Sequence, residues 1–240
     1  MTNIADLSIK IFADGANLDD MLELASNPLI KGFTTNPTLM RKDGVTDYET
    51  FARSVLDAIT DHPVSFEVFA DDADGMLAQA RVIASWGPNV NVKIPITNTK
   101  GQSMISVVET LAGEGVSLNI TAMMTLDQVQ ATADVLNKDA PAIVSVFAGR
   151  VADSGVDPVP LMTQASAMLA NLPKAELLWA SPREVLNIFH AEQSGCHIIT
   201  MTNDLLAKLS SVGKSLDQFS LETVQMFYRD ATAAGYSIRT

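Results

Sequence analysis

The sequence has little cysteine and no long hydrophobic run. Cys196 is the only cysteine among 240 residues, which excludes an internal disulfide and a cysteine-rich zinc site. No segment reaches the roughly 18 uncharged apolar residues that a membrane-spanning helix needs. Charged residues interrupt the N-terminal apolar runs as early as Asp6 and Lys10, so no secretory signal is expected. These absences predict a cytoplasmic protein.

Positive charge is also scarce. Lysine and arginine total 16 against 28 acidic residues, and the formal net charge is −12. This balance argues against general affinity for nucleic acids or membrane surfaces, which are themselves anionic. A small anionic substrate would need a local group of arginines or backbone amides. The three histidines are too scattered for an obvious metal cluster, so no metal site is predicted.

Strand-like and helix-like runs alternate along the chain. The predicted strands are 9–13, 32–35, 64–70, 90–96, 116–120, 143–147, 176–180 and 197–201. Apolar residues at helical spacing predict helices over 18–25, 48–59, 74–86, 101–113, 125–137, 158–172, 182–193 and 202–209. Thr125 and Gln128 form a candidate capping box, and Pro182 is predicted in the first turn of a helix.

About eight such units predict a (β/α)8 barrel, an α/β fold in which residues 1–240 form a single domain. A doubly wound open sheet is the competing fold, but it usually has fewer strands and often a glycine-rich first turn. The tail 210–240 exceeds what a barrel needs and is predicted to be a C-terminal helical extension. It would cover the barrel mouth or pack on a neighbouring subunit.

Lys93 lies in the middle of the strand predicted over 90–96, between valine and isoleucine residues. Strand alternation puts residues 91, 93 and 97 on one face. Buried lysines are rare unless they are paired. Burial lowers the pKa of a lysine amine by up to ~3–5 units, which would make Lys93 a nucleophile suited to Schiff-base chemistry. The alternative is a structural ion pair.

Polar residues also stand at the ends of the other predicted strands, where barrel enzymes carry their chemistry. In chain order they are Asp14, Thr34-Thr35-Asn36, Glu67, Lys93, Asn119 with Thr121, Ser145 with Arg150, and Ser181 with Arg183. Each alone has a structural explanation, for example arginines paired with Asp153 and Glu184. Together they suit a lysine nucleophile, two carboxylates that carry protons, amides and hydroxyls for sugar hydroxyls, and arginines for a phosphate.

Six motifs in this order resemble the transaldolase family of Schiff-base barrel enzymes over residues ~10 to 205. They are Ala13-Asp14-Gly15-Ala16-Asn17, Thr34-Thr35-Asn36-Pro37-Thr38, Val92-Lys93-Ile94-Pro95, Asn119-Ile120-Thr121, Ser145-Val146-Phe147-Ala148-Gly149-Arg150-Val151 and Ala180-Ser181-Pro182-Arg183. The resemblance implies a sugar-phosphate substrate, no cofactor and no metal. It also implies a role in carbohydrate metabolism of the pentose phosphate type.

The resemblance further implies roles for individual residues. Lys93 would form the imine, Asp14 would be the acid/base next to the cleaved bond, and Glu67 would serve imine formation with a water held by Thr121. Asn36, Asn119 and Ser145 would bind the dihydroxyacetone part, and Arg150, Ser181 and Arg183 the phosphate. Thr35 and Phe147 are further expected substrate-binding residues.

The family contains transaldolases and fructose-6-phosphate aldolases, and the latter resemble this chain less. They carry glutamine and tyrosine where this chain has Glu67 and Phe147, so we expect transfer rather than release of dihydroxyacetone. Pro182 replaces a usually bulky residue, which leaves another terminal anion, such as a sulfonate, as an alternative to phosphate. The short chain resembles the subgroup that forms rings, so a homo-oligomer is expected: a pentamer, a decamer or a dimer. The nearest competing hypothesis is an aldolase of the same mechanism, and a barrel that binds sugar phosphates without turnover is a third.

Overall fold

Eight parallel strands form a closed barrel in the computed structural model, which describes residues 4–239. Each strand pairs with the next in sequence, and the eighth pairs with the first. The strands are β1 Lys10–Asp14, β2 Ile30–Thr34, β3 Val64–Glu67, β4 Val90–Pro95, β5 Leu118–Met123, β6 Ala142–Val146, β7 Ala175–Trp179 and β8 Ile198–Thr202. The predicted (β/α)8 barrel is therefore confirmed, and the open doubly wound sheet is excluded.

Helices connect the strands and form the outer layer. Within the described residues they are α1 Leu18–Ala25, α2 Pro37–Lys42, α3 Tyr48–Ala58, α4 Ala73–Ala84, α5 Ile105–Gly113, α6 Leu126–Val135, α7 Ala148–Asp153, α8 Pro158–Met168, α9 Leu186–Gln193, α10 Asn203–Ala207 and α11 Leu216–Ala233. Short 3₁₀ turns span Ile4–Asp6 and Lys208–Ser211. In the part of the chain described, no helix has both the length and the apolar character to cross a membrane.

Side-chain caps fix where several helices begin. Asn17, Asp47 and Asp72 each accept a hydrogen bond from a backbone N–H in the first turn of α1, α3 and α4 respectively. Thr125 and Gln128 form the reciprocal bonds of the predicted capping box at the start of α6. Each cap thereby fixes the residue at which its helix begins, after a strand for α1, α4 and α6 and after α2 for α3.

Several element boundaries differ from the sequence prediction, and two helices were not predicted. Strand β3 ends at Glu67 rather than at residue 70, because the backbone N–H groups of Phe69 and Ala70 donate to the side chain of Gln79 instead of a strand. The segment after Pro182 is not helical, and α9 begins only at Leu186. The two six-residue helices α2 and α7 were not predicted, because each is too short to show helical periodicity.

Part of the barrel is filled by a small apolar cluster. Phe12, Ile143, Leu178, Ala180 and Ile198 form a cluster separate from the main core between strands and helices. The ring of Phe12 lies against Gly32, where an added Cβ would be 2.6 Å from the ring. Polar side chains also lie at the N-terminal ends of the strands, where Asn91 and Glu176 line a pocket with Phe12 and Ile143.

Helix α11 follows the barrel and carries no buried residue. Several of its apolar side chains are largely exposed, including Leu216 at 82% and Phe227 at 62%.

Candidate active site

A cavity of about 560 Å³ opens at the C-terminal ends of the strands. Nine of the twelve side chains that the sequence singles out line it: Asp14, Asn36, Glu67, Lys93, Thr121, Phe147, Arg150, Ser181 and Arg183. The other three, Thr35, Asn119 and Ser145, are buried outside its lining. The structure thus brings together residues from seven strand–helix units at one end of the barrel.

Lys93 is buried, with 6% of its surface exposed, and its amine reaches the cavity. The Nζ atom donates to the backbone carbonyl of Thr35 at 2.7 Å and lies 3.2 Å from Oε2 of Glu67. The neighbouring positions of Glu67 and Lys93 follow from the β3–β4 register, in which the two residues are partners. The ion pair that was one alternative for Lys93 is therefore present, and it lies in the cavity wall.

Asp14, the last residue of β1, is the second carboxylate of the cavity. It accepts a hydrogen bond from Oγ1 of Thr34 at 2.8 Å and one from Nδ2 of Asn36 at 3.2 Å. Burial raises the pKa of this carboxyl above its ordinary value, although the charge of Lys93 and the two hydrogen bonds act in the opposite direction. Asp14 is therefore easier to protonate than an exposed aspartate, which suits a proton carrier.

A layer of buried polar groups lies beside the lysine. Nδ2 of Asn119 donates to Oγ of Ser65 at 3.0 Å, and Oγ of Ser145 donates to Oδ1 of Asn119 at 2.7 Å. The hydroxyl of Thr35 donates to the backbone carbonyl of Ser65 at 2.9 Å. Asn119 and Ser145 therefore hydrogen-bond one another and Ser65, and their predicted contact with substrate stays a prediction. Ser65 was missed by the sequence analysis.

Arg183 and Ser181 form the far end of the cavity. Nε of Arg183 donates to both carboxylate oxygens of Asp153, at 2.9 and 3.0 Å, and a terminal nitrogen donates to Oγ of Ser181 at 3.1 Å. These hydrogen bonds hold the pKa of the Asp153 carboxyl below its usual value. Of the two suggested acidic partners, Asp153 is therefore confirmed as the partner of Arg183, and the described residues show no salt bridge to Glu184. The guanidinium of Arg150 lies 5.6 Å from the ring centre of Phe147.

Two tight backbone features shape this end. Ser181 has a φ of 61°, in the left-handed region that non-glycine residues rarely adopt. Its carbonyl oxygen lies so close to Gly149 that a Cβ on that glycine would be 1.5 Å away. The loop after β7 and the start of α7 can approach this closely only because residue 149 has no side chain.

Thr200 on β8 also lines the cavity and was missed. Its hydroxyl lies 2.6 Å from Oγ1 of Thr34, which in turn donates to Asp14. Strand alternation could have identified Thr200 as inward-facing. It is the register partner of Phe12, whose ring lies in the barrel interior. The apolar character of β8 obscured that signal.

The cavity chemistry is that of one amine between two carboxylates, with guanidinium groups at the opposite end. In residues 4–239 no group of three or more His, Cys, Asp or Glu side chains is arranged to hold a metal ion. The amine suits attack on a carbonyl carbon. The carboxylates can move protons, and the guanidinium groups can bind an anion.

Comparison with known proteins gives one consistent result. The family described as Transaldolase/Fructose-6-phosphate aldolase matches residues 11–238. A protein named "Probable transaldolase 2" from Listeria monocytogenes is 35% identical over 204 residues, which are 85% of this chain and 89% of the relative. A "Probable transaldolase" from Dehalococcoides mccartyi is 33% identical over 202 residues, covering 84% and 90%. The crystal structure of KGPDC from Streptococcus mutans has a TM-score of 0.56 at 9% identity, covering 82% of this chain and 88% of that one, which supports the fold alone.

Proposed function

Because the chain belongs to the transaldolase/fructose-6-phosphate aldolase family, we propose that it is a transaldolase. It transfers a dihydroxyacetone unit from a ketose phosphate, such as fructose 6-phosphate or sedoheptulose 7-phosphate, to an aldose phosphate. The observation that carries the proposal is the amine of Lys93, which lies in the cavity wall 3.2 Å from the Glu67 carboxylate. The names of the relatives support the same activity.

The reaction begins with attack of the neutral Lys93 amine on the ketose carbonyl carbon. Before this attack Glu67 takes one proton from the lysine ammonium. After the attack Glu67 passes a second proton from the nitrogen to the former carbonyl oxygen. It then protonates the resulting carbinolamine hydroxyl, which leaves as water to give the protonated imine. Thr121 lines the cavity and orients this water. The contact between Glu67 and Nζ places the proton carrier beside the nitrogen, which supports this assignment.

Asp14 then takes the proton from the hydroxyl next to the bond that breaks. The carbon–carbon bond cleaves, the aldose phosphate leaves, and the three-carbon unit stays on Lys93 as an enamine. An acceptor aldehyde then reacts with the enamine to form a new carbon–carbon bond. The earlier steps run in reverse, and the new ketose is released. The hydrogen bond from Asn36 to Asp14 keeps the carboxylate directed into the cavity and supports this role.

The arginine end of the cavity would hold the terminal phosphate. Arg150 and Arg183 offer planar sets of donors that match phosphate oxygens, and Ser181 adds a hydroxyl. Asp153 already occupies part of the Arg183 fork, so a bound anion shares that guanidinium or displaces the carboxylate. Because of this pairing, a sugar with another terminal anion, such as a sulfonate, is an alternative donor. The assays should include such a sugar.

Two residues support transfer over release of dihydroxyacetone. Glu67 is a carboxylate and can carry a proton, whereas an amide at this position could not. Phe147 has no hydroxyl that would position a hydrolytic water in the cavity. The enamine would therefore persist until an aldehyde arrives. A fructose-6-phosphate aldolase with the same first half-reaction is the competing activity.

Product analysis with and without an acceptor separates these activities. With fructose 6-phosphate and erythrose 4-phosphate, we expect sedoheptulose 7-phosphate and little free dihydroxyacetone. Fast release of dihydroxyacetone without acceptor would identify an aldolase instead. Borohydride reduction in the presence of fructose 6-phosphate, followed by peptide mass analysis, should place the adduct on Lys93. A protein that binds the sugar but gives neither product nor adduct would be a binding protein.

We further propose a cytoplasmic homo-oligomer that acts in the pentose phosphate pathway on sugar phosphates. The exposed apolar side chains of α11, such as Phe227 at 62% exposure, support assembly, because contact with another copy would remove them from water. A ring of five or ten subunits and a dimer are the expected forms. Sedimentation velocity distinguishes them, and a monomer at micromolar concentration would contradict the proposal. The net charge of −12 speaks against nucleic-acid and membrane partners.

A further inference from the structure

We propose that Tyr48, the first residue of α3, is a positioning residue that holds Glu67 in place for proton transfer at Lys93. The inference rests on the proposed role of Glu67. Tyr48 itself lies outside the lining of the cavity that is proposed to bind the substrate. Three observations support it: a pair of hydrogen bonds to the Glu67 backbone, the end of the β2–β3 pairing before Glu67, and the packing of the tyrosine ring.

One hydroxyl group satisfies both backbone polar groups of Glu67. The Tyr48 hydroxyl donates to the carbonyl oxygen of Glu67 at 2.9 Å and accepts from its N–H at 2.7 Å. Both distances lie within the range of good hydrogen bonds. The backbone at Glu67 is therefore held from the side of α3, while its side chain points to the cavity.

The barrel itself leaves these two groups without a strand partner. Strand β2 pairs with β3 only through Phe33 and Thr34, and the chain then turns through Asn36 into α2. The last backbone bond on this side runs from the N–H of Thr35 to the carbonyl of Ser65. Tyr48 thus acts in place of the missing continuation of β2.

This replacement also frees the acceptor that Lys93 uses. In a regular parallel ladder, each hydrogen-bonded residue makes two hydrogen bonds to the partner strand. Its N–H donates to the carbonyl of one residue, and its carbonyl accepts from the N–H of the residue two positions later on that partner strand. The carbonyl of Thr35 would accordingly accept from the N–H of Glu67. It instead accepts from Nζ of Lys93 at 2.7 Å, because the Glu67 N–H donates to Tyr48. The tyrosine hydroxyl therefore affects both members of the Lys93–Glu67 pair.

The ring of Tyr48 is held by an aromatic cluster. It packs edge-on against Phe69, Trp86 and Phe66, with ring centres 4.6, 5.7 and 6.2 Å away. Burial of the hydroxyl raises its pKa, so the group remains a proton donor over the whole working range of the protein. Replacing Tyr48 with phenylalanine keeps these ring contacts and removes only the hydroxyl.

Kinetics of Tyr48→Phe test the inference. A displacement of about 1 Å in a catalytic group can cost on the order of 100-fold in rate, so we expect kcat to fall roughly 10- to 100-fold while KM for fructose 6-phosphate changes less than about threefold. Ser194→Ala is the matched control. The Ser194 hydroxyl is also buried and donates to a backbone carbonyl, that of His190, at 2.6 Å. It lies directly after the end of α9 and outside the cavity. This control should keep the kcat of the unaltered protein.

A double substitution shows whether Tyr48 acts through Glu67. In the Glu67→Gln background, adding Tyr48→Phe should lower kcat by far less than it does alone, because residues that act as a unit do not give multiplicative effects. Equal fold-losses in both backgrounds, or an unchanged kcat in the single variant, would overturn the proposal. So would an equal loss in Ser194→Ala, since the effect would then be one of general stability.

Amide hydrogen exchange separates failure of this inference from failure of the proposed function. The Glu67 N–H should exchange at least about tenfold faster in Tyr48→Phe than in the unaltered protein, whether or not any sugar is turned over. An unchanged exchange rate would refute the hydrogen-bond argument. If the unaltered protein forms no borohydride adduct with fructose 6-phosphate, the proposed function fails, and the exchange result still decides whether Tyr48 holds the backbone.

Discussion

Replacing Gly149 with alanine should damage the arginine end of the cavity selectively. The added Cβ would lie 1.5 Å from the carbonyl oxygen of Ser181 and 2.6 Å from its carbonyl carbon, whereas ordinary contacts begin near 3.4 Å. The two segments must therefore separate by about 2 Å, the difference between 3.4 and 1.5 Å. The atoms in contact are backbone atoms, so no side-chain rotation can relieve the overlap.

The magnitude of the effect follows from this separation. Overpacking of this kind costs about 1–3 kcal/mol of folding free energy, and we expect the upper end, because Ser181 already has a left-handed backbone. For a chain of this size that lowers the melting temperature by about 6–12 °C. Moving Ser181 also moves Arg183. Loss of one charge-assisted phosphate contact, worth about 1.5–3 kcal/mol, would lower kcat/KM for fructose 6-phosphate by roughly 10- to 100-fold.

The assay compares a donor that has a phosphate with one that lacks it. Dihydroxyacetone needs no anion site, so Gly149→Ala should still give a borohydride adduct at Lys93 with this ketone. Gly113→Ala is the matched control: it adds the same methyl group in α5, where no atom lies within 4 Å, and should stabilise the protein by about 0.5–1 kcal/mol. Unchanged melting and unchanged kcat/KM in Gly149→Ala would refute the reasoning. Equal loss with both donors would show a general defect rather than one at the anion end.

Two further predictions concern the groups of the proposed chemistry. Lys93→Met should abolish turnover and the borohydride adduct while the circular dichroism spectrum stays unchanged, and substantial remaining activity would identify another nucleophile. Asp14→Asn should lower kcat by about 10²–10⁴-fold. Because burial raises the folded-state pKa of Asp14 above 3.8, the ionised carboxylate costs stability. That cost is absent below the unfolded-state pKa and grows as pH rises through the folded-state pKa. Urea unfolding from pH 4 upward should therefore show the Asp14→Asn variant gaining stability relative to the unaltered protein, and a constant difference would contradict this.

The strands and most of the polar side chains that line the cavity were predictable because both depend on local patterns. Each strand is a short run of β-branched and apolar residues, and parallel strands in a barrel all end at the same face. Once Lys93 and Glu67 were assigned to strand ends, their meeting in one cavity followed from the fold. The register that makes them direct partners was not needed for that prediction.

The errors arose where a contact joins residues that are distant in sequence. Glu184 stands next to Arg183 in the chain, but Asp153, 30 residues earlier, is the partner, because α7 and the loop after β7 approach each other at Gly149. Tyr48 looked like an ordinary member of a helix, since nothing in the pattern of α3 reveals a bond to Glu67 on another element. Local periodicity contains no information about such pairs.

The contact between Lys93 and Glu67 shows why the two original interpretations of the lysine are compatible. A purely structural ion pair in a barrel interior would be sealed by its neighbours, because water weakens the attraction between charges. Here the Glu67 side chain is 19% exposed, and both residues line a cavity that also contains Asp14. The lysine is held by the carbonyl of Thr35 and by a carboxylate, yet its amine faces open space. In the reaction proposed above, this ion pair keeps the protein folded around a buried amine and provides the base that neutralises the amine when a ketose enters.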